Sequence, residues 1–370
     1  MIRVLQVISD RNIGGAGIQL CNLLRHLNPE RFRCTVALPR EAELTERLVA
    51  MGVETVELAH PCDRLLAESV REIKGIIRSL GIDIVHANAA VSARMAGKLS
   101  GCRVIHTRHC YFPVETPRGG ARQLLLRMGN RWLSDLAIAT APSAAENLKS
   151  LGIPQRSVRV ILNGSDPVRE IRAEELAALR RHYGIGEGDS CIGICARLEA
   201  CKGHRTFLEA AAMLKKNLPH EPLRFLVVGE GSLRQSLEAY ANGLGLGDAV
   251  IFTGFVRDMA PIYRLLRVNV NCSCGTETSC LALSEGMSAA LPTVATDYGG
   301  NRVMIEGGGL SYPVGDAEAL SERLREILTN SALEAELQHR SLESYRCRFT
   351  AERMTRETEA LYSMLTANRC

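Results

Sequence analysis

Residues 268–287 read VNVNCSCGTETSCLALSEGM, which is a short β-branched run, then a polar loop, then an apolar helical stretch. A strand that passes through a loop into a helix is the repeating unit of a parallel sheet covered by helices. Glu277 lies in the loop and Glu285 in the helix, with seven residues between them. Thr278 and Ser279 are the candidate N-cap residues of that helix. The stretch therefore predicts one strand–loop–helix unit that carries two carboxylates.

Similar units run along both halves of the chain, and the pattern restarts after Asn163-Gly164. Strands separated by helix-length segments predict a parallel sheet covered on both faces, so we expect two doubly wound α/β domains. A polar segment through Pro167 and Arg172 predicts the linker between them. The predicted strands are residues 3–8, 34–38, 53–57, 83–86, 103–107, 136–140, 158–162, 190–195, 224–228, 250–252, 268–272 and 293–296.

Length and composition restrict the class of protein. The 370 residues exceed one typical domain, and 46% hydrophobic with 23% charged residues is typical of a globular chain. The first residues, MIRVLQVIS, predict a strand rather than a signal peptide, and no apolar run reaches the ~18 residues of a spanning helix. We therefore expect a cytoplasmic protein that contacts a membrane only peripherally, at its inner face.

Basic residues are concentrated in the first half. Residues 1–165 contain 22 Lys+Arg and 14 Asp+Glu, a net charge of +8, whereas the rest contains 23 and 27, a net charge of −4. This excess favours an anionic or lipid-linked acceptor or an anionic membrane face, with an ordinary solvated surface as the alternative. Nucleic acid is not an expected partner.

The chain contains 13 cysteines, of which only Cys272 and Cys274 lie two apart. No second pair completes a zinc-ligand spacing. We interpret the cysteines as reduced, small core residues and predict no metal site.

Residues 118–133 alternate arginines with leucines and predict a helix. At ~100° per residue, Arg118 and Arg122 fall almost opposite Arg127 and Arg131. A helix with no single basic face does not favour membrane attachment.

A glycine-rich loop follows the first predicted strand, where residues 9–17 read SDRNIGGAG. Gly14 and Gly15 would let the backbone approach an anion at the start of the next helix. A dinucleotide fingerprint is excluded, because the third glycine is missing and residues 36–39 end the second strand without an acidic residue.

A pair of cations follows the first strand of the second half, where residues 196–204 read ARLEACKGH. Arg197 presents a planar fork and Lys202 a point charge, so the two can converge on a diphosphate. The alternative is an ordinary solvated loop.

These segments together resemble the retaining glycosyltransferases of family 4, which have the two-domain GT-B fold. The resemblance covers essentially the whole chain and is densest over residues 190–315. It implies two Rossmann-like domains that face a cleft. The N-terminal, acceptor-binding domain would comprise residues 1–165 and about 350–370, because the C-terminal helix returns to it. The nucleotide-sugar-binding domain would comprise residues 166–349.

The resemblance also implies roles for these residues. Glu277 would contact the donor sugar and Glu285 the ribose, while Arg197 and Lys202 neutralise the diphosphate. The Gly14-Gly15 loop would close on the diphosphate from the other domain. An anion can also bind at the N-terminus of the helix that carries Glu285. The residues that this adds to the predicted donor site are Ser279, Cys280 and Leu281.

Further matching segments place His109 near the donor sugar, residues 161–164 at the domain junction, and Gly254, Phe255 and Val256 beside the nucleotide base. Two departures are visible in the sequence. Residues 277–280 read Glu-Thr-Ser-Cys where the family usually has Glu-Gly-Phe-Gly, and Val303 stands where it often has a glutamate.

The sequence thus predicts a retaining hexosyltransferase-like enzyme that uses a nucleoside-diphosphate sugar, preferably a UDP-sugar. Its unidentified acceptor would belong to polysaccharide, glycolipid or cell-envelope glycan synthesis. No cofactor and no metal are expected, since cationic side chains replace the metal and no Asp-x-Asp motif occurs. The alternatives are a nucleotide-sugar epimerase or hydrolase and a non-catalytic nucleotide-sugar-binding module.

Overall fold

The computed structural model describes residues 1–110 and 120–367, with the side chains of residues 121–123 left out. The chain divides into two compact units, Met1–Gly164 with Ala351–Cys370, and Ser165–Thr350. Each unit contains one parallel sheet with helices between successive strands. Within residues 1–110 and 120–367, none of the helices combines the length and the apolar character that spanning a bilayer requires.

The N-terminal unit has a seven-stranded sheet in the order β3-β2-β1-β4-β5-β6-β7. Its central strands are largely buried because helices cover both faces, and Val4, Leu5 and Val7 of β1 are fully buried. The strands are β1 (Ile2–Ile8), β2 (Phe32–Pro39), β3 (Glu54–Leu58), β4 (Ile84–Asn88), β5 (Arg103–Arg108), β6 (Leu136–Ala139) and β7 (Val158–Val160). The helices are α1 (Gly15–His26), α2 (Leu44–Ala50), α3 (Ala67–Leu80), α4 (Val91–Leu99), α5 (Ala121–Trp132) and α6 (Pro142–Ser150).

The C-terminal unit has a six-stranded sheet in the order β10-β9-β8-β11-β12-β13. At its centre, β11 pairs in parallel with β8, and Asn269 lies opposite Gly193. The strands are β8 (Ser190–Cys195), β9 (Leu223–Val228), β10 (Val250–Gly254), β11 (Val268–Asn271), β12 (Thr293–Thr296) and β13 (Gly309–Tyr312). The helices are α7 (Ala173–Tyr183), α8 (His204–Asn217), α9 (Arg234–Gly243), α10 (Ala260–Leu265), α11 (Leu281–Ser288), α12 (Asn301–Ile305), α13 (Ala317–Thr329) and α14 (Ser331–Arg348).

The terminal helix α15 (Ala351–Ala367) packs within the N-terminal unit beside α1. Its Met354, Leu361 and Tyr362 share a buried cluster with Leu23 and Phe32. The predicted fold class is therefore confirmed, with two doubly wound parallel sheets and a C-terminal helix that returns to the first of them.

Some local predictions are wrong. Strand β13 was not predicted, because its glycine-rich start reads as a loop and only pairing with β12 makes it a strand. The interpretation of the cysteines as core residues fails for three of the twelve described, since Cys110, Cys274 and Cys347 are exposed.

Candidate active site

The sheet of the C-terminal unit reverses its strand order around β8, which lies between β9 and β11. Open parallel sheets bind ligands beyond the carboxyl ends of the strands at such a switch point. Arg197 and Lys202 follow β8, and Glu277 follows β11. The structure thus brings both loops with predicted charged residues to the place where this fold binds ligands.

Lys202 and Glu277 form an ion pair there, with 2.7 Å between Nζ and Oε2 and side chains 19% and 10% exposed. Ser273 Oγ donates to the same carboxylate oxygen at 2.8 Å. Burial is the largest single effect and opposes the charge of Lys202, but the charge and hydrogen bond of Glu277, together with the nearby Cys280 and Cys201, outweigh it, and the pKa of Lys202 is raised. Lys202 is therefore a cation at neutral pH, and its charge is held at the switch point.

A buried polar network supports the loop that carries Glu277. Asn271 Oδ1 accepts from the Ser273 amide at 2.8 Å and from Asn301 Nδ2 at 3.1 Å. Asn301 Nδ2 also donates to Thr296 Oγ1, which in turn donates to the Ser273 carbonyl. Sequence reasoning missed these residues, although an asparagine at the end of a buried strand is a usable signal because it requires partners.

Two glycines allow neighbouring loops to approach this segment. Gly203 has a φ of 68°, and a Cβ there would overlap the carbonyl of Cys272. A Cβ on Gly300 would likewise overlap the carbonyl of Thr278. The loops that follow β8 and β12 therefore pack directly on the backbone around Glu277.

Arg197 is in a different environment from Lys202. Its side chain is 64% exposed, and Nη1 lies 2.6 Å from Oε1 of Glu199, a partner that sequence reasoning missed. The two cations predicted to share a diphosphate thus follow the same strand, but each is paired with its own carboxylate.

Glu285 is half-buried on α11 and accepts a hydrogen bond from the Tyr263 hydroxyl at 2.9 Å. Burial and the charge of Glu285 raise the pKa of Tyr263 well above its ordinary value, so Tyr263 stays protonated and donates. A carboxylate on an apolar helix needs such a partner.

The predicted N-cap of α11 is wrong. The helix begins at Leu281 with Cys280 as its N-cap residue, and no side chain caps it. Ser279 Oγ points instead to Met304 Sδ at 3.5 Å, and Cys280 Sγ accepts from Asn271 Nδ2 at 3.2 Å. These tertiary contacts with buried neighbours override the local capping preference.

The predicted base-binding segment follows β10, two strands from β8 in the sheet. Gly254 ends that strand with a φ of 75°, Phe255 is 65% exposed, and Val256 packs partly on the core. An exposed aromatic ring at this edge can stack on a planar ligand.

In the N-terminal unit, Gly14 precedes α1 as its N-cap residue and Gly15 is the first residue of that helix. His109 follows β5 and is half-buried, with Nε2 2.9 Å from Asn88 Oδ1 at the end of β4. Asn88 Nδ2 donates to Gln6 Oε1 of β1 at 3.0 Å. Burial lowers the pKa of His109 to about 4, so the imidazole is neutral at physiological pH.

His86, which the sequence left without a role, lies in the same buried network. Its Nδ1 is 2.7 Å from the Tyr362 hydroxyl and its Nε2 is 2.7 Å from Thr107 Oγ1. Burial and the nearby His109 lower the pKa of His86 to about 3. His86 therefore links the sheet to α15 as a neutral hydrogen-bonding group.

Models of known protein families match both units of the chain. The model for Glycosyltransferase Family 4 matches residues 13–169, and the model for Glycosyl transferases group 1 matches residues 189–330. The chain belongs to the family 4 glycosyltransferases. The first match thus falls mainly on the N-terminal unit and the second on the C-terminal unit.

Relatives and solved structures agree with this family. EpsD of Bacillus subtilis, named as a glycosyltransferase, is 29% identical over 308 residues, 79% of each chain. The 2-deoxystreptamine glucosyltransferase of Streptomyces kanamyceticus is 30% identical over 254 residues, 64% of this chain and 65% of its own. HepE of Anabaena, solved in complex with UDP, has a TM-score of 0.84 at 19% identity and covers 98% of this chain and 100% of its own. That similarity shows the GT-B fold.

Proposed function

We propose that this glycosyltransferase moves a sugar from a nucleoside-diphosphate sugar, preferentially a UDP-sugar, with retention of anomeric configuration and without a metal. The observation that carries the proposal is the buried Lys202–Glu277 pair at the switch point of the C-terminal sheet. A cation suits a diphosphate, and a carboxylate suits sugar hydroxyls. The preference for UDP is supported by HepE, whose solved complexes contain UDP and UDP-glucose.

In the proposed reaction, the bond between the sugar and the diphosphate oxygen breaks while the acceptor oxygen bonds to the same carbon. The departing phosphate oxygen takes the proton of the acceptor hydroxyl. Lys202 and Arg197 stabilise the charge that develops on the diphosphate, which is the largest contribution expected from this site. Glu277 and Glu285 orient the sugar and the ribose through their hydroxyls.

Lys202 already donates a hydrogen bond to the Glu277 carboxylate, so a bound diphosphate would compete with Glu277 for the ammonium group. Donor binding would then release a carboxylate oxygen for a sugar hydroxyl. This exchange couples recognition of the sugar to recognition of the diphosphate, although the two residues lie 75 positions apart.

In the N-terminal unit, a donor-sugar contact by His109 and a diphosphate contact by the Gly14 and Gly15 amides stay predictions. His109 would act as a neutral hydrogen-bonding group, since its pKa of about 4 excludes a standing positive charge at neutral pH. The acceptor that we propose is anionic or lipid-linked, as in cell-envelope glycan synthesis. Its support is the basic excess of residues 1–165.

A thermal-shift screen tests the donor class first. The nucleoside diphosphate that fits should stabilise the protein by ~2.7 kcal/mol at a hundred times its dissociation constant. Incubating the matching nucleotide sugar with and without acceptors then distinguishes transfer from epimerisation or hydrolysis, because only transfer needs an acceptor. An inverted anomeric configuration in the product, read by NMR, would refute retention.

A further inference from the structure

Helix α5 leaves a group of large apolar side chains in solvent. Leu124, Leu125, Met128 and Trp132 are 61%, 67%, 60% and 51% exposed, and we refer to these four as the α5 apolar face. Leu126 is also 58% exposed, but it falls about 100° beyond Leu125 around the helix axis and is not part of this face. Single exposed apolar residues are ordinary, whereas a contiguous group marks an interaction surface. None of these four residues is among those named for the candidate active site.

The four side chains lie on one side of the helix. At ~100° per residue they fall within about 100° of arc. The helix is held from another side, where Asn130 Nδ2 donates to the Leu151 carbonyl at 3.2 Å and Arg94 Nη2 donates to the Asn130 carbonyl at 3.3 Å. Because these polar contacts fix the helix to its unit, the α5 apolar face is directed outward.

The charged residues beside the α5 apolar face are basic. Arg127 and Arg131 are exposed and flank Leu124 at about −60° and −20° around the helix axis. Residues 121–132 contain no aspartate or glutamate. Of the two arginines predicted to lie opposite Arg127 and Arg131, Arg118 lies outside the described residues, and the side chain of Arg122 is not described.

Leucine, methionine and tryptophan beside arginine match the chemistry of an anionic bilayer surface. Tryptophan favours the headgroup region, apolar side chains enter the acyl boundary, and arginine pairs with lipid phosphate. We propose that the α5 apolar face docks on an anionic phospholipid surface, with Arg127 and Arg131 contacting phosphates. This docking goes beyond the transfer reaction and does not depend on it.

Vesicle binding of the full chain tests the proposal without any sugar donor. Trp132 is the only tryptophan of the sequence, so its fluorescence reports directly on this face. Vesicles with about one third phosphatidylglycerol should float the protein and shift the Trp132 emission to shorter wavelength, whereas pure phosphatidylcholine vesicles should do so only weakly.

Matched variants locate the binding surface. Leu124→Gln/Leu125→Gln/Met128→Gln keeps helix propensity and should lower partitioning roughly ten-fold or more. The control is Leu65→Gln/Leu99→Gln, which changes two side chains of the same unit that are 54% and 53% exposed, and should bind like the wild type. Arg127→Gln/Arg131→Gln should weaken binding about five-fold per charge at low salt.

Three results would overturn the proposal. In the first, the wild-type protein does not float with phosphatidylglycerol vesicles. In the second, the triple variant and its control bind equally. In the third, the wild-type protein is a dimer in solution and the triple variant is a monomer. The last result would assign the α5 apolar face to a second copy of the chain. Circular dichroism of each variant verifies that the fold is intact.

Discussion

Lys202 Nζ lies 2.7 Å from Glu277 Oε2, so one ion pair joins the loops that follow two neighbouring strands of the C-terminal sheet. Ser273 donates to the same carboxylate oxygen and places a third residue in the contact. A substitution at Lys202 therefore changes the electrostatic environment of Glu277, and the reverse holds. The two residues must be tested together.

The two cations of this site should differ in their effect on stability. Lys202→Ala leaves the buried Glu277 carboxylate without its cation and should lower the free energy of unfolding by about 1–3 kcal/mol. Arg197→Ala removes a side chain that is 64% exposed and should leave stability nearly unchanged. Urea unfolding of both variants gives the comparison, and both should lose roughly 10²-fold in turnover.

The double variant Lys202→Ala/Glu277→Gln is the control for this difference. Neutralising the carboxylate should restore most of the stability lost in Lys202→Ala, because no buried charge is then left unpaired. Strictly additive losses would show that the pair does not couple the loops.

The course of the chain could be predicted from the sequence more fully than the contacts of the site. Alternating strand and helix periods predict two parallel sheets, and the carboxyl-end rule places Lys202 and Glu277 at the same edge of the second sheet. That their strands are neighbours is known only from the observed strand order. Their direct contact could not be predicted, since it depends on how side chains 75 residues apart meet in the folded unit. The support from Asn271 and Asn301 depends on tertiary contacts in the same way.

The Tyr263 hydroxyl should matter for nucleotide binding. Tyr263→Phe removes the donor that lies 2.9 Å from Glu285 and should weaken nucleoside-diphosphate binding by about 0.5–1.5 kcal/mol. Tyr240→Phe is the matched control, because it removes a tyrosine–glutamate hydrogen bond between Tyr240 and Glu209. If the two variants bind the nucleoside diphosphate with equal affinity in calorimetric titration, the assignment of Glu285 to the nucleotide site is contradicted.

Acid should destabilise the protein through its buried histidines. Burial lowers the pKa of His86 to about 3 and the pKa values of His109 and His204 to about 4, from 6.5. Below pH 6.5 the unfolded chain takes up protons that the folded chain does not, so stability is full above that pH and falls as pH drops towards 4. Each such histidine contributes a slope of about 1.4 kcal/mol per pH unit in that window.

Melting temperatures measured at pH 7.5, 6 and 5 test whether stability falls as the pH drops. His86→Gln should flatten the dependence on pH, whereas His220→Gln changes an exposed histidine and should leave it as in the wild type. A protein that melts at the same temperature at pH 7.5 and 5 would contradict the burial of these neutral imidazoles.

Transfer should not require a divalent metal. Because Lys202 and Arg197 supply positive charge beside the candidate diphosphate site, activity should survive excess EDTA. The assay follows product formation from the nucleotide sugar before and after chelation. Complete loss that Mn²⁺ or Mg²⁺ restores would mean that the cationic side chains do not replace a metal.

Calorimetric titration of UDP into the wild type and three variants tests the central claim, that Lys202 and Glu277 exchange partners when a diphosphate binds. Lys202→Ala should lose at least about ten-fold in affinity, and Glu285→Gln should lose the ~1.5–3 kcal/mol typical of a hydrogen bond to a charged group. Glu277→Gln should bind UDP as tightly as the wild type or more tightly, because Lys202 is freed from its carboxylate. Wild-type affinity in Lys202→Ala, or a larger loss in Glu277→Gln than in Glu285→Gln, would contradict it.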